Sequence, residues 1–276
     1  MTGLPDPAVR LDALAWRRDH AERSRRVVPE ETAVAISYDR VGYAVMMATP
    51  RDLEDFGVGF SLTEGIVDAP ADIASCEIVP AERGVECRMT LKSDAGDRLA
   101  ARRRHLAGPM GCGLCGLESL DAATRALPRV GSALTISAEA LLGAMDEMSR
   151  RQHLNRETRG IHAAGFFEPG AAESVIVRED VGRHNALDKI VGSLARDGRG
   201  GARGAVLLTS RVSIELVQKT AMLGAPILIA VSVPTAHAVR LAKEAGITLA
   251  AIARDDGFEV FTHPDRISFG AESHVA

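Results

Sequence analysis

The sequence predicts an α/β protein whose last third forms a parallel sheet, and three observations carry that prediction. Apolar runs at 205–209, 226–232 and 248–253 alternate with helix-period segments ending near Leu223 and Ala245. Strand–helix–strand alternation of this kind implies right-handed crossovers and parallel strands. Upstream, strand-like runs are separated by turn residues, the signature of hairpins, so the whole sheet system is mixed. Finally, a chain of 276 residues that is 46% hydrophobic can bury a sizeable core as one large or two small domains.

Taken in order, residues 1–30 carry arginines at positions 10, 17, 18, 23, 25 and 26 and few large apolar residues, which predicts a flexible or weakly docked arm ahead of a single domain over 31–276. Runs 32–38 and 43–48 flank Asp39-Arg40-Val41-Gly42, a hairpin signal. Thr49 as N-cap and Pro50 at the first helical position predict a helix from about 50 to 67. A second hairpin is expected over 76–79 and 85–91, with Cys76 and Cys87 as small buried hydrophobes. Residues 98–105 read as a basic strand or turn, in which Arg102, Arg103 and Arg104 carry positive charge.

Ser137 is a plausible cap for a helix reaching Arg151, and the runs 160–167 and 174–178 flank the turn pair Pro169-Gly170. Asp180 reads as the cap of a helix over 182–196, placing Arg183, His184 and Asn185 in its first turns. A helix start with basic side chains can hold an anion, although capping and packing alone would also explain these residues. Residues 198–204 are a glycine-rich connector into the parallel part, 204–267. Glu215 and Lys219, four apart in one helix, read as a surface ion pair. In such sheets ligands bind beyond the carboxyl ends of the strands. Those ends are Thr209-Ser210-Arg211, Ser232-Val233-Pro234-Thr235 and Arg254-Asp255-Asp256-Gly257, an edge of hydroxyls, arginines and a glycine turn suited to a phosphate or nucleotide.

Lysine plus arginine number 33 against 37 acids, a net charge of -4, which excludes a general nucleic-acid binder. The longest apolar run, 225–233, is far short of the roughly 20 residues a membrane helix needs. With no secretory signal in view and only four cysteines, the expectation is a cytoplasmic protein without a disulfide scaffold.

The chemistry concentrates in Gly108-Pro-Met-Gly-Cys-Gly-Leu-Cys-Gly116. Four glycines and a proline in nine residues predict a mobile loop, and the helix-period run behind it, 117–127, places Cys115 near a helix N-terminus that favours the thiolate. A CxxC admits three readings. Structural zinc wants four ligands, and no second pair stands at ligand spacing, so Cys76 and Cys87 or His105 and His184 would have to be recruited in space. A deaminase zinc site needs H-x-E, and His162-Ala163-Ala164 lacks the glutamate. A thioredoxin-type oxidoreductase expects a rigid motif directly after a central strand, against which the glycines argue. Sulfur carriage, in which a thiolate takes the terminal sulfur of a persulfide and passes it on, suits a loop that meets two partners in turn.

Four motifs together resemble the formate dehydrogenase accessory sulfurtransferases, the FdhD family: Gly-Cys-Gly-Leu-Cys-Gly at 111–116, Glu-Asp-Val-Gly-Arg-His-Asn-Ala-Leu-Asp-Lys at 179–189, Ser-Arg-Val-Ser-Ile-Glu-Leu-Val-Gln-Lys at 210–219 and Phe-Thr-His-Pro-Asp-Arg-Ile at 261–267. The resemblance runs in register from about 31 to 267. It implies a three-layer fold of cytidine-deaminase-like type and a homodimer. It also implies a sulfurtransferase that accepts persulfide sulfur from a cysteine desulfurase and passes it to the molybdenum (or tungsten) bis-molybdopterin guanine dinucleotide cofactor needed by a formate dehydrogenase. The cofactor is then a bound acceptor, with no resident protein metal, membrane or nucleic acid involved. Cys112 and Cys115 match the family's CxxC, with Cys112 as the expected persulfide carrier. The stretch Ile252-Ala253-Arg254-Asp255-Asp256-Gly257 falls where the family binds the cofactor, and Ser210, Arg211 and Ser232 join it at the same strand ends. The alternatives are a cofactor-binding chaperone without sulfur chemistry, and a thiol–disulfide oxidoreductase.

Overall fold

A computed structural model of the chain describes residues 3–92, 96 and 127–270. Where the arginines predict a flexible arm, β1 (Ala8–Arg17) and β2 (His20–Pro29) pair antiparallel over their full length. Cross-strand polar pairs support this ribbon, among them Arg25 donating to Asp12 at 3.0 Å. Its contact with the body is near its base, where Arg26 donates to the Thr158 carbonyl at 3.4 Å. The strand pattern was not visible in the sequence because both faces meet solvent: six consecutive residues of β1, 9–14, are exposed.

Next, β3 (Thr32–Tyr38), β4 (Val41–Ala48), β5 (Ile73–Ala81) and β6 (Gly84–Leu91) form a four-stranded sheet in the order β4-β3-β6-β5. Against it lies α1 (Leu53–Thr63), whose Phe56 and Phe60 bury into a core with Ile36, Cys87 and Met89. The helix starts three residues later than the sequence suggests. Thr49 is not its cap, because the Thr49 amide donates to Asp180 and the Thr49 hydroxyl accepts from the Val181 amide. Cys87 is buried as expected, but Cys76, expected to be buried too, is only half-buried, with the two sulfurs 3.8 Å apart.

The rest of the described chain builds the main sheet. Following β7 (Ile136–Ser137) come α2 (Ala138–Arg151), α3 (His153–Thr158), β8 (His162–Phe167), β9 (Val175–Asp180) and α4 (Arg183–Arg196). Then β10 (Ala205–Leu208), α5 (Ile214–Leu223), β11 (Ile227–Ala230), α6 (Ala236–Ala245) and β12 (Thr248–Arg254) alternate, before β13 (Gly257–Thr262) and the short β14 (Ile267–Ser268), which pairs with β7. The six-stranded sheet has the order β13-β12-β11-β10-β8-β9, with β10, β11 and β12 parallel and the outer pairings antiparallel.

Alternation along the strands sorts their side chains to two faces. Val206, Leu208, Leu228 and Ala230 pack under α4, α5 and α6, whereas Ala205, Leu207, Ile227 and Ile229 pack under α2. The sheet is thus the middle of three layers. The four-stranded sheet joins from outside through α1, which crosses α4 so closely that a Cβ on Gly59 would stand 1.8 Å from the Asp188 carbonyl oxygen. Gly192 on α4 meets the Asp55 carbonyl oxygen in the same way, at 1.8 Å. No helix among the described residues is long and apolar enough to cross a membrane.

Candidate functional site

Because β9 is antiparallel to β8, and β8 to β10, strands β9, β10, β11 and β12 all point one way. Their carboxyl ends share one edge of the sheet, and α4, α5 and α6 begin there. Thr209, Ser210, Arg211, Ser232 and the 252–257 turn all lie on that edge by construction. Several are held through the backbone: the Val212 amide donates to Val233 at 3.2 Å, and the Ile252 amide to Ser232 at 3.4 Å.

Individual side chains at the edge are engaged to different degrees. Ser210 is buried and donates to the Arg211 carbonyl, while Arg211 is exposed. Arg254 donates to the carbonyls of Val231 and Ala253, tying β12 to the end of β11. Ile252 sits at φ 57°, a left-handed conformation costly for a β-branched residue, where the β12–β13 register slips between Ala251 and Arg254. The slip turns Ala253, Arg254 and Asp255 toward α2, and with Val231, Leu142 and Met145 they line a cavity of about 650 Å³.

The motif 179–189 is mostly consumed by the fold. Glu179 accepts from the first amides of α3, Leu154 at 2.9 Å and Asn155 at 2.8 Å. Asp180 is not the α4 cap, since Gly182 takes that place; its carboxylate accepts from the Gly182 amide at 2.7 Å and pairs with Lys189 at 2.6 Å. Lys189, fully buried, also donates to the carbonyls of Thr49 and Glu179. Asn185 reaches the Met47 carbonyl at 2.8 Å. Asp188 pairs with Lys219 at 2.9 Å and accepts from the Thr63 hydroxyl at 2.6 Å. Lys219 therefore does not form the surface pair with Glu215 that the spacing suggests. It is 5% exposed and also holds Glu64 at 2.9 Å. Burial pushes the Asp188 carboxyl up to about 6 despite this lysine.

What remains of the two motifs is unspent. Among the described residues Arg183 Nε, His184 Nε2 and Glu215 Oε2 are buried without a hydrogen-bond partner, and the buried Ser213 Oγ has only the Glu215 carboxylate beside it. Burial, with the charges of Arg183 and Lys219, pushes His184 down to about 4, so its ring is neutral at neutral pH. Burial works against the Glu215 carboxylate, but the Ser213 hydroxyl, its own backbone amide and the neighbouring His184 and Arg183 hold it below the usual range. His162, at the start of β8 on the same edge, is lowered by burial and by Arg183. Sequence reasoning singled out Arg183 and His184, read Glu215 as half of a surface ion pair, and gave Ser213 no role beyond its place in the motif 210–219. The two cysteines on which the sequence reading turns, Cys112 and Cys115, lie outside the described residues, as do Arg102, Arg103 and Arg104. Among the described residues no group of three histidine, cysteine, aspartate or glutamate side chains is placed to hold a metal ion.

Comparison with known proteins places these features. The model of the FdhD/NarQ family matches residues 29–268. The sulfur carrier protein FdhD of Agrobacterium fabrum is 48% identical over 259 residues, covering 94% of this chain and 95% of that protein. The protein of the same name from Xanthomonas campestris is 43% identical over 275 residues, covering 98% of each. Among solved structures, a putative formate dehydrogenase accessory protein from Desulfotalea psychrophila superposes with a TM-score of 0.74 at 26% identity, covering 95% of this chain and 99% of that one.

Proposed function

The chain belongs to the FdhD/NarQ family, and on that premise we propose that it is a sulfur carrier serving a formate dehydrogenase. The thiolate of Cys112 attacks the terminal sulfur of a persulfide on a cysteine desulfurase. The desulfurase leaves as a thiolate and the sulfane sulfur stays on Cys112. The acceptor is the molybdenum (or tungsten) bis-molybdopterin guanine dinucleotide, a substrate held at the sheet edge by Ser210, Arg211, Ser232 and the turn 252–257. Cys115 closes the cycle by displacing the sulfur as hydrosulfide equivalent to the acceptor, leaving a Cys112–Cys115 disulfide that a cellular thiol reduces. The protein works in the cytoplasm as a homodimer.

One observation supports the reading above the others: the strand ends gather hydroxyls, Arg211 and the strained turn at Ile252 on one edge, next to buried polar atoms that have no partner among the described residues. Native interiors leave few such atoms unless a ligand completes them. The test is the intact mass after incubation with a cysteine desulfurase, cysteine and pyridoxal phosphate. The expected result is a gain of one sulfur, about 32 Da, that is lost on reduction and is absent in Cys112→Ala but present in Cys115→Ala. No gain on any variant, with the desulfurase shown to be active, would move the reading to a chaperone that delivers the cofactor without sulfur chemistry.

A further inference from the structure

Away from the strand-end edge, beside Arg196 at the last position of α4, the thiols of Cys76 and Cys87 meet. Cys76 stands opposite Met89 and Cys87 opposite Ile78, so the two are diagonal neighbours across β5 and β6. Their sulfurs are 3.8 Å apart on the face of the sheet that α1 covers, and the Met89 sulfur lies 3.7 Å from that of Cys87. A Cβ on Gly57 of α1 would stand 2.3 Å from the Cys87 sulfur and 3.5 Å from the Cys76 sulfur. The helix covers the pair only because position 57 carries no side chain.

The two thiols are unlike. Cys87 is fully buried among Ile36, Phe56 and Met89, whereas Cys76 is half-buried and feels Arg196, which itself holds Glu54 and Asp55. The hydrogen bond to Cys76, with burial, pushes the Cys87 thiol well above the ordinary range, so it keeps its proton. The same bond holds Cys76 below that range, helped by Arg196 and opposed by burial, Glu54 and Asp55. Packing as a small hydrophobe accounts for Cys87 alone. It does not account for a second thiol, less buried and more readily ionised, in contact with the first. Zinc is unsuited, since among the described residues no third histidine, cysteine, aspartate or glutamate joins the pair.

We propose that Cys76 is an oxidation site for hydrogen peroxide and that Cys87 resolves it into a reversible disulfide. The Cys76 thiolate attacks one peroxide oxygen. An S–O bond forms as the O–O bond breaks, and the departing hydroxide takes up the proton that Cys76 gave up. The Cys87 thiol then attacks the sulfenic sulfur, an S–S bond replaces the S–O bond, and water leaves with the Cys87 proton. Two thiols have lost two electrons and one peroxide has become two waters. Diagonal neighbours stand at the long end of what a disulfide spans, so closure draws β5 toward β6. As the edge strand of its sheet, β5 can follow. A bond made under that tension is readily reopened by a thiol. Neither cysteine takes part in the proposed sulfur transfer, so the site stands or falls apart from it.

Peptide mapping of the full chain tests the site. The folded protein is treated briefly with hydrogen peroxide, with glutathione in a parallel tube to show that the dose oxidises a free thiol. Remaining thiols are blocked with iodoacetamide in denaturant, and trypsin is added without reductant. Cleavage at Arg83 and Arg88 leaves Cys76 in peptide 52–83 and Cys87 in peptide 84–88. Wild type is expected to give these two peptides joined, ~2 Da below the sum of their reduced masses, and separate again after a dithiol reductant. In Cys87→Ala, dimedone should trap Cys76 as the sulfenic acid. In Cys76→Ala, peptide 84–88 should be recovered alkylated and unoxidised. Full alkylation of both wild-type cysteines at a dose that oxidises glutathione overturns the proposal. So does a disulfide from Cys76 to Cys112 or Cys115 in place of Cys87, or oxidation of Cys87 in Cys76→Ala. The wild-type map does not depend on how either variant folds.

Discussion

Two buried polar clusters stand on the same pair of helices and differ in closure. The inner one is complete: Lys189 has Asp180 and the carbonyls of Thr49 and Glu179, and Lys219 has Asp188, Glu64 and Thr63. The outer one, one turn toward the sheet edge, leaves Arg183, His184 and Glu215 each with an atom unpaired among the described residues, and Ser213 with only the Glu215 carboxylate beside it. Burial alone therefore does not distinguish structure from function here. Closure does, because a satisfied charge pair fixes how elements meet whereas an unsatisfied one stores a preference for a ligand. Lys219 and Asp188 hold α5 on α4, and through Thr63 and Glu64 they hold the end of α1 as well.

The largest effect should come from breaking the closed cluster. Lys219→Met leaves Asp188 buried without its cation, a loss expected to cost about 3–5 kcal/mol of unfolding free energy. The double variant Lys219→Met, Asp188→Leu should recover most of it, because it removes both charges rather than orphaning one. Urea unfolding with unchanged slope measures both. Equal losses in the single and double variants would mean that packing around α5, and not the ion pair, carries the stability.

A smaller effect, and one that depends on pH, is expected in the open cluster. The folded protein holds His184 down to about 4, below its ordinary 6.5. Between those values the unfolded chain binds a proton that the native state refuses, so this contribution to stability is present above pH 6.5 and is lost as the pH falls toward 4. At the acid end it amounts to about 3 kcal/mol. The groups acting on the ring are Arg183 on its own helix, Lys219 and Glu215 from α5, and Glu64 beyond α1. Asp188, raised to about 6 from 3.8, has the opposite sign, because the native state keeps a proton that the unfolded chain has already lost. The informative quantity is thus the difference between wild type and His184→Gln across pH 4 to 7. That difference should shrink or reverse on the acid side; a constant offset would mean that the ring is solvated and free to protonate.

How much of this was legible beforehand follows from the same contrast. The alternation from β10 to β12 could be read because one period repeats over fifty residues and each strand is buried on both faces. The hairpin β1–β2 could not, because a strand exposed on both faces carries no alternation to find. The edge itself came from topology, since parallel strands put their carboxyl ends together whatever the residues. Lys219 was misread because its partners Asp188, Glu64 and Thr63 lie 31, 155 and 156 positions away, while Glu215 at four looked sufficient. Local rules rank local partners, and burial is decided by distant ones. For the same reason Asp180 looked like a helix cap, when the charge it answers is on Lys189.

The smallest effect is the sharpest test of closure, because it compares like with like. Ser137 caps α2 by accepting from the Ala140 amide at 3.1 Å, whereas Ser213 occupies the same position on α5 and makes no such bond. Ser137→Ala should cost about 1 kcal/mol, the usual loss for a working cap. Ser213→Ala should cost under about 0.5 kcal/mol, because it removes a hydroxyl that caps no backbone amide of α5 and stands only beside the Glu215 carboxylate. Thermal unfolding of the two variants under one condition gives the ratio directly. If the Ser213 variant loses as much as the Ser137 variant, its hydroxyl is already satisfied in the free protein and the outer cluster is as closed as the inner one. If the loss is small and grows once a bound ligand adds its own stabilisation to wild type alone, the hydroxyl is held in reserve for that ligand.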